Sequence, residues 1–357
     1  MAAVTPGLVC GHHHLYSTLA RGMPAPPTAP TGFLGILEQV WWRLDAALDL
    51  EMLRWSALLG AAEALMSGTT AVIDHHESPN AIEGSLTVIA DACAEVGVRV
   101  NATYGVTDRW DDHGHLCPSD EWPPPKMTDA ARRGLAECER FLRAGGRGMV
   151  GVHAAFTCSG ETLEAAAGLA EDLGAGLHIH VAEGKVDADA GARLASMARD
   201  DWLLVHCVHL DRDLPGTIAH NPRSNMNNAV GYARPADRPN RVVLGTDGIG
   251  ADMLEEARLA YARLREHDPT AGPDMPWRWL EAGRAFFPET ADDRVTWSYD
   301  HVDSAWHTAY TPGTRAVRVE TAGELVLEDG RPTRVDLDEI RAKAEEQARR
   351  LHARLAP

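Results

Sequence analysis

What this sequence lacks narrows it first. No apolar run approaches the roughly 20 residues needed to cross a bilayer, and no secretory leader is read ahead of the first histidine, so a cytoplasmic protein is expected. The six cysteines (Cys10, Cys93, Cys117, Cys138, Cys158 and Cys207) never fall in CxxC spacing. That removes a paired-thiol metal or redox motif and leaves reduced, small residues packed in the core. Positive charge is scarce: 34 Lys and Arg against 52 Asp and Glu give a net charge of -18. Such a surface disfavours nucleic acid and anionic membranes and suits an enzyme of small substrates. A Gly-rich phosphate fingerprint after the first strand is also missing, which argues against an open dinucleotide-binding sheet.

What is present is a repeated alternation of short apolar runs with amphipathic stretches, in a chain of 357 residues that is 45% apolar. The predicted strands are Gly7 to His14, Thr69 to His75, Arg99 to Val106, Met149 to Thr157, Leu177 to Ala182, Trp202 to Val208, Gly216 to His220 and Val242 to Asp247. Helices are predicted over Ile82 to Val96, Thr128 to Arg143, Thr162 to Leu173, Asp187 to Ala198 and Asp252 to Glu266. Eight strands alternating with helices specify an α/β protein, a (β/α)8 TIM-like barrel over residues 1–287. Beyond Phe287 the pattern changes. Residues 288–335 read as a reduced β element, with short strands at Val317 to Thr321 and Glu324 to Leu327 and a turn at Asp329-Gly330. Residues 336–357 read as a C-terminal helix capped by Asp336, with Glu339 three residues on, an apolar stripe of Leu337, Ile340, Ala344, Leu351 and Leu355, and a solvated charged face. The Pro-rich loops Met23 to Thr31 and Pro118 to Lys126 are candidates for a lid.

The chemistry starts at His12 and His14. Two residues apart on a strand, they point to one face while His13 points to the other. A tag remnant would also be His-rich, but the Pro6-Gly7 lead-in and the Leu15-Tyr16 that follow do not belong to one. His180 and Glu183 lie at the end of the fifth strand, His206 on the sixth and Asp247 on the eighth. The C-terminal ends of barrel strands converge on one mouth. Three imidazoles and a carboxylate from His12, His14, His180 and Asp247 suit one catalytic divalent ion with a position left for water, zinc first and iron as the alternative. Such an ion makes hydroxide available at neutral pH. Glu183 is the candidate proton shuttle; Asp247 would both ligate and orient the water, and His206 would polarise the substrate, hold the hydroxide or approach the metal.

The ordered set Pro6-Gly7-Leu8-Val9-x-x-His12-x-His14, Gly68-Thr69-Thr70, His153-Ala154-Ala155-Phe156-Thr157, His180-Val181-Ala182-Glu183, His206-Cys207, His220-Asn221-Pro222-Arg223-Ser224-Asn225 and Gly245-Thr246-Asp247 resembles the amidohydrolase superfamily, in its chlorohydrolase and aminohydrolase branch. With Trp41-Trp42-Arg43-Leu44-Asp45, Asp74-His75-His76 and Leu244 to Gly250 it is most similar to the SsnA-type aminohydrolases associated with selenium metabolism. The resemblance covers about Pro6 to Glu256. It implies His12, His14, His180 and Asp247 as metal ligands, Glu183, His206 and Asp247 as catalytic groups, and His153 as a substrate-binding residue. The fourth strand carries no Lys for a carbamylated bridge, which favours one ion over two. Relatives carry an N-terminal β-sandwich part ahead of the first His pair. Here that part is missing in this reading, so Val317 to Leu327 is expected to have lost its strand partners.

The expected activity is metal-dependent hydrolysis of a non-peptide carbon–nitrogen bond, a deamination of a purine-like or other amidine-bearing heterocycle. The alternatives are a cyclic amide hydrolase or a dechlorinating hydrolase, and, from another class, an inactive metal-binding fragment or partner protein. The expected partner is a small heterocyclic substrate, with no nucleic acid and no membrane; a homo-oligomer is left open. Elsewhere the plainer readings stand: His178 as packing one layer below the mouth, His209 facing away, His75 and His76 evenly balanced between pocket and core, and His220 at a pocket edge or bonding backbone. Trp41 and Trp42 read as core or lid packing, and Arg223, Ser224 and Asn225 as loop stabilisers.

Overall fold

The structure, a computed structural model, describes residues 3–111, 113–117 and 122–356. Its first strand, β1 (Val4–Thr5), belongs to a small outer sheet. Then come β2 (Leu8–His14), β3 (Thr69–His76), β4 (Arg99–Val106), β5 (Val150–Ala154), β6 (Leu177–Val181), β7 (Leu203–His206), β8 (Thr217–His220), β9 (Val242–Leu244) and β10 (Asp247–Gly248). These nine pair in parallel in the order β10-β2-β3-β4-β5-β6-β7-β8-β9. β9 and β10 are two halves of one crossing, interrupted at Gly245 and Thr246. β9 pairs with β8, β10 pairs with β2, and the Gly245 and Thr246 amides donate to the carbonyls of His220 and His12. The sheet therefore meets itself, as the eight-fold βα alternation requires.

Inside the barrel, Val9, Ile73, Leu203, Val205, Ala219 and Val243 pack with Phe287 into a closed apolar floor. Strand β2 reaches the layer above by an irregularity. Val9 faces the interior, while Leu8 and Cys10 face the surrounding helices. Strict alternation would then turn His13 inward, but the β2–β3 register shifts between Cys10 and His13. Gly11 permits this: a Cβ there would meet Val243 Cγ2 at 2.7 Å and the Leu244 carbonyl at 2.8 Å.

A helix over Leu50–Met66 was not read from periodicity, because its apolar residues do not keep to one stripe. It packs on the helix of Ser85–Val96 on one side and on the C-terminal helix Leu337–Leu355 on the other. That last helix is capped as expected, the Asp336 carboxylate accepting from the Asp338 and Glu339 amides. Its charged face is not merely solvated: Arg350 and Arg354 reach the Asp49 carboxylate at 3.1 and 2.8 Å, at the start of Leu50–Met66. The predicted helix at Asp187 to Ala198 contracts to Ala190–Leu194.

The outer sheet corrects the expectation of unpartnered strands. β11 (Arg294–Trp297), β12 (Ala316–Thr321), β13 (Glu324–Glu328) and β14 (Arg331–Pro332) join β1 in the antiparallel order β1-β11-β12-β13-β14. β12 thus has a neighbour on each side. The overlooked partners are short, and one comes from the other end of the chain, beyond the reach of any local pattern. Thr70 donates to Asp293 Oδ2 at 2.6 Å and Arg99 pairs with the same carboxylate, tying the barrel floor to the residue before β11. Among the described residues no helix is long and apolar enough to cross a membrane.

Candidate active site

Three of the strands that carry candidate functional residues, β6, β7 and β10, break into left-handed backbone at their carboxyl ends: Ala182 (φ 47°), His206 (71°), Cys207 (54°), Asp247 (58°) and Ile249 (64°). Non-glycine residues adopt this region at a cost of about 1–2 kcal/mol each, and such strain concentrates where side chains must be aimed. At β7 the consequence is direct. Val205 packs in the floor, so simple alternation would point His206 outward; the turn swings it over the mouth and sends Cys207 into the outer core instead.

One ligand-capable atom from each of His12, His14, His180 and Asp247 lies within 4.8 Å of the others, and the same holds for Glu183, His206 and Asp247. Asp247 Oδ1 stands 3.3 Å from His12 Nε2 and 3.0 Å from His14 Nε2. His206 Nε2 is 3.3 Å from Glu183 Oε2 and 3.7 Å from Asp247 Oδ2. Every one of these imidazoles has its Nδ1 occupied by an outer partner. His12 bonds His178 Nε2 (2.9 Å), His14 the His75 carbonyl, His180 the His153 carbonyl (2.7 Å) and His206 the Asn225 amide oxygen (2.8 Å). For His14, His180 and His206, with carbonyl-type acceptors on the outside, the ring proton sits on Nδ1 and Nε2 is left bare toward the centre, the tautomer a metal ligand needs. The buried Nε2 atoms of His12 and His206 have no hydrogen-bond partner.

Burial pushes the pKa of His12 and His180 well below the ordinary histidine range, which keeps them neutral. Burial acts the same way on His14, but the Asp247 carboxylate beside it outweighs burial and raises it. At Asp247 burial opposes ionisation, yet the imidazoles of His12 and His14 close beside it hold the carboxyl well below its usual range. Burial, reinforced by Asp247, raises Glu183. Neutral His12 and His180 beside an ionised carboxylate, with the bare Nε2 of His12 facing inward, fit a divalent metal ion.

The segment Pro222–Asn228 is a platform beneath these groups. Ser224 donates to Asp247 Oδ2 (2.5 Å), Asn225 accepts from His206, and Asn228 donates to Glu183 Oε1 (3.2 Å). Arg223 Nη2 meets the carbonyls of Thr246, Gly248 and Ile249 at 2.6, 2.9 and 2.9 Å, holding the backbone on both sides of Asp247. The loop-stabilising reading of Arg223 thus stands, while Ser224 and Asn225 act on the functional side chains themselves. Asn228 was overlooked; its signal was the Asn-rich continuation of that run.

The cluster opens on a cavity lined by His14, His153, His180, Glu183 and Asp247, with Trp41, Trp42, Phe33, Leu37 and Phe156 as apolar walls and Tyr16, Asp45 and Glu77 on a further wall. Trp41 and Trp42 therefore wall the cavity. The lid expectation shifts. The helical stretch after Met23 to Thr31 supplies lining residues, and the loop itself does not; of Pro118 to Lys126, residues 118–121 lie outside the described residues, and Trp122 backs the wall by packing on Trp42 at 4.8 Å. His75 and His76 stay out of the cavity, His75 beneath the cluster and His76 against Ser78. His178 does more than pack, since it receives His12. His220 bonds no backbone and lies edge-on to Trp279. His209 faces away and bonds the Val230 carbonyl, and His13 holds the Asp247 carbonyl at 2.7 Å from the outer face.

The sequence profile of the amidohydrolase family matches residues 3–284. The chain belongs to this family. Among this amidohydrolase's relatives, a 5'-deoxyadenosine deaminase of Methanopyrus kandleri is 29% identical over 98% of this chain and 86% of its own length. A 5-methylthioadenosine/S-adenosylhomocysteine deaminase of Desulforudis audaxviator is 29% identical over 97% and 86%. Among solved structures, an adenosine deaminase from Xanthomonas campestris with bound zinc shares the fold at a TM-score of 0.78 and 21% identity, covering 99% of this chain and 86% of that one.

Proposed function

We propose that this amidohydrolase is a hydrolytic deaminase of a purine-like amino heterocycle. The observation that carries the reading is the joining of two groups at Asp247: a His12, His14, His180 and Asp247 cluster fit for a metal, and a Glu183–His206 pair, 3.3 Å apart, that lies within 4.8 Å of the same carboxylate. The deaminase names of its relatives supply the substrate class.

In this reading His12, His14, His180 and Asp247 hold one divalent ion per chain, zinc in preference to iron because imidazole and carboxylate donors suit it and a zinc-bound relative shares the fold. The ion would supply Lewis-acid activation of water. Glu183, raised by burial, takes a proton from the attacking water and delivers it to the departing amino nitrogen, so that amine and water become a carbonyl product and ammonia. His206 holds the incoming oxygen through Nε2, its ring fixed by Asn225. His153 binds the ring. Its Nδ1 donates to Thr157 Oγ1, whose own proton goes to the Ala154 carbonyl, so Nε2 is free to accept from a substrate N–H.

The test is ammonia release from 5'-deoxyadenosine, adenosine, guanine and related amino heterocycles, with metal counted per chain. Glu183→Gln should keep about one ion per chain and lose about 100- to 10,000-fold in kcat. Wild-type activity in that variant, or no ammonia from any heterocycle with the metal in place, would refute the reading.

A further inference from the structure

The cavity wall formed by Tyr16, Asp45 and Glu77 carries a second charged group that the deamination chemistry leaves unused. Asp45, on the helix Trp42–Ala47, and Glu77, just past β3, both line the cavity and are almost wholly buried. Both carboxylates bond a single nitrogen, Nη2 of Arg109, with Asp45 Oδ2 at 2.7 Å. Arg109 is itself buried and lies over the rings of Trp42 and Trp110 at 5.0 and 5.1 Å. One guanidinium is thus shared between two carboxylates, and one negative charge is left over. Asp45 Oδ1 is buried without a hydrogen-bond partner, and Glu77 Oε1 stands 3.8 Å from His153 Nε2, too far for a bond. A carboxylate oxygen left bare in a buried wall, as Asp45 Oδ1 is, is costly until a ligand supplies a donor. Among the described residues that line the cavity there is no Lys or Arg to receive an anion.

Resting on the deaminase reading, we infer that Asp45 and Glu77 form a specificity subsite for the edge of the substrate remote from its scissile amino group. The subsite requires N–H or O–H donors on that edge and rejects a phosphate or carboxylate there. A second anion about 5 Å from the surplus charge, at an effective dielectric constant of about 20, is disfavoured on the order of 100-fold. The amidohydrolase should therefore select nucleosides or bases over nucleotides.

The test is equilibrium binding by calorimetry on the metal-loaded full chain, using matched pairs: adenosine and its 5'-monophosphate, guanosine and its 5'-monophosphate, and the free bases. At least one nucleoside should bind about 100-fold tighter than its monophosphate. Comparison with the free base then separates sugar hydroxyls from ring N–H groups as the donors. Glu77→Gln, and separately Asp45→Asn, should narrow the nucleoside-to-nucleotide ratio about tenfold, since a merely steric exclusion of phosphate would not respond to neutralisation. A monophosphate bound as tightly as its nucleoside by the wild type overturns the inference, as does an unchanged ratio in both variants once their melting confirms that they fold. If a variant fails to fold, the wild-type ratio still decides. An intact ratio without ammonia release overturns the deaminase reading alone, ammonia release with no preference overturns the subsite alone, and binding of none of the pairs overturns both.

Discussion

Replacing Arg223 with Met removes a clamp without touching any candidate metal ligand, and its size can be worked from the contacts. The guanidinium meets three carbonyls of the 246–249 segment and pairs through Nε with Glu256 at 2.9 Å. All three contacts come from Nη2, which has two N–H groups, so two charge-assisted hydrogen bonds at about 1.5 kcal/mol each, the low end because the Arg223 side chain is 32% exposed, give about 3 kcal/mol. A second route gives a similar bound: Glu256 would be left buried and alone, which costs about 3–5 kcal/mol. The two overlap, so about 4 kcal/mol is expected. With an unfolding entropy near 2.1 cal/mol/K per residue, the melting temperature should fall by about 5 °C. Asp247 and Ile249 hold left-handed backbone under that clamp, so the carboxylate should lose its aim as well, and zinc affinity by chelator competition should drop about 10- to 100-fold. Adding Glu256→Gln removes the stranded charge. It should recover part of the melting temperature and none of the zinc affinity. Unchanged melting and unchanged zinc affinity in Arg223→Met would refute the clamp; recovery of both in the double variant would refute its link to Asp247.

His178→Phe should weaken zinc binding about 10- to 100-fold, read by chelator competition, because His12 loses the acceptor that fixes its tautomer; affinity equal to wild type would remove that role. Gly68→Ala should lower the melting temperature by several degrees, since Gly68 has φ 77° and a Cβ there would lie 2.2 Å from Trp297 Cη2, where the outer sheet presses on the barrel. A melting curve superimposable on wild type would show that the contact yields freely. Stripping the metal with a chelator should lower the melting temperature, by about 4 kcal/mol of stability for zinc present at 1,000 times its Kd; an unchanged curve would mean the cluster holds no ion.

How much was legible in the sequence follows from how local each signal is. The strand and helix alternation is written in nearest-neighbour periodicity, so the barrel could be read directly; on β6, where Leu177, Ile179 and Val181 face the helices, alternation also puts His178 and His180 inside correctly. The residue types at the strand ends announced metal and proton chemistry before any geometry. Three things were out of reach. The inward turn of His12 and His14 depends on a register shift that Gly11 allows against Val243, and that of His206 on a left-handed turn. The partner of β12 opposite β13 comes from residues 294–297, which pair in turn with residues 4–5, hundreds of positions away in sequence. The wall of Asp45, Glu77 and Arg109 joins one helix and two separate loops whose residues carry no common pattern. Composition, period and residue type therefore determined the class of fold and the kind of chemistry. Only the closed barrel decided which atoms face the cavity, because aim depends on bulges, strained turns and long-range pairs that exist only once the chain is packed.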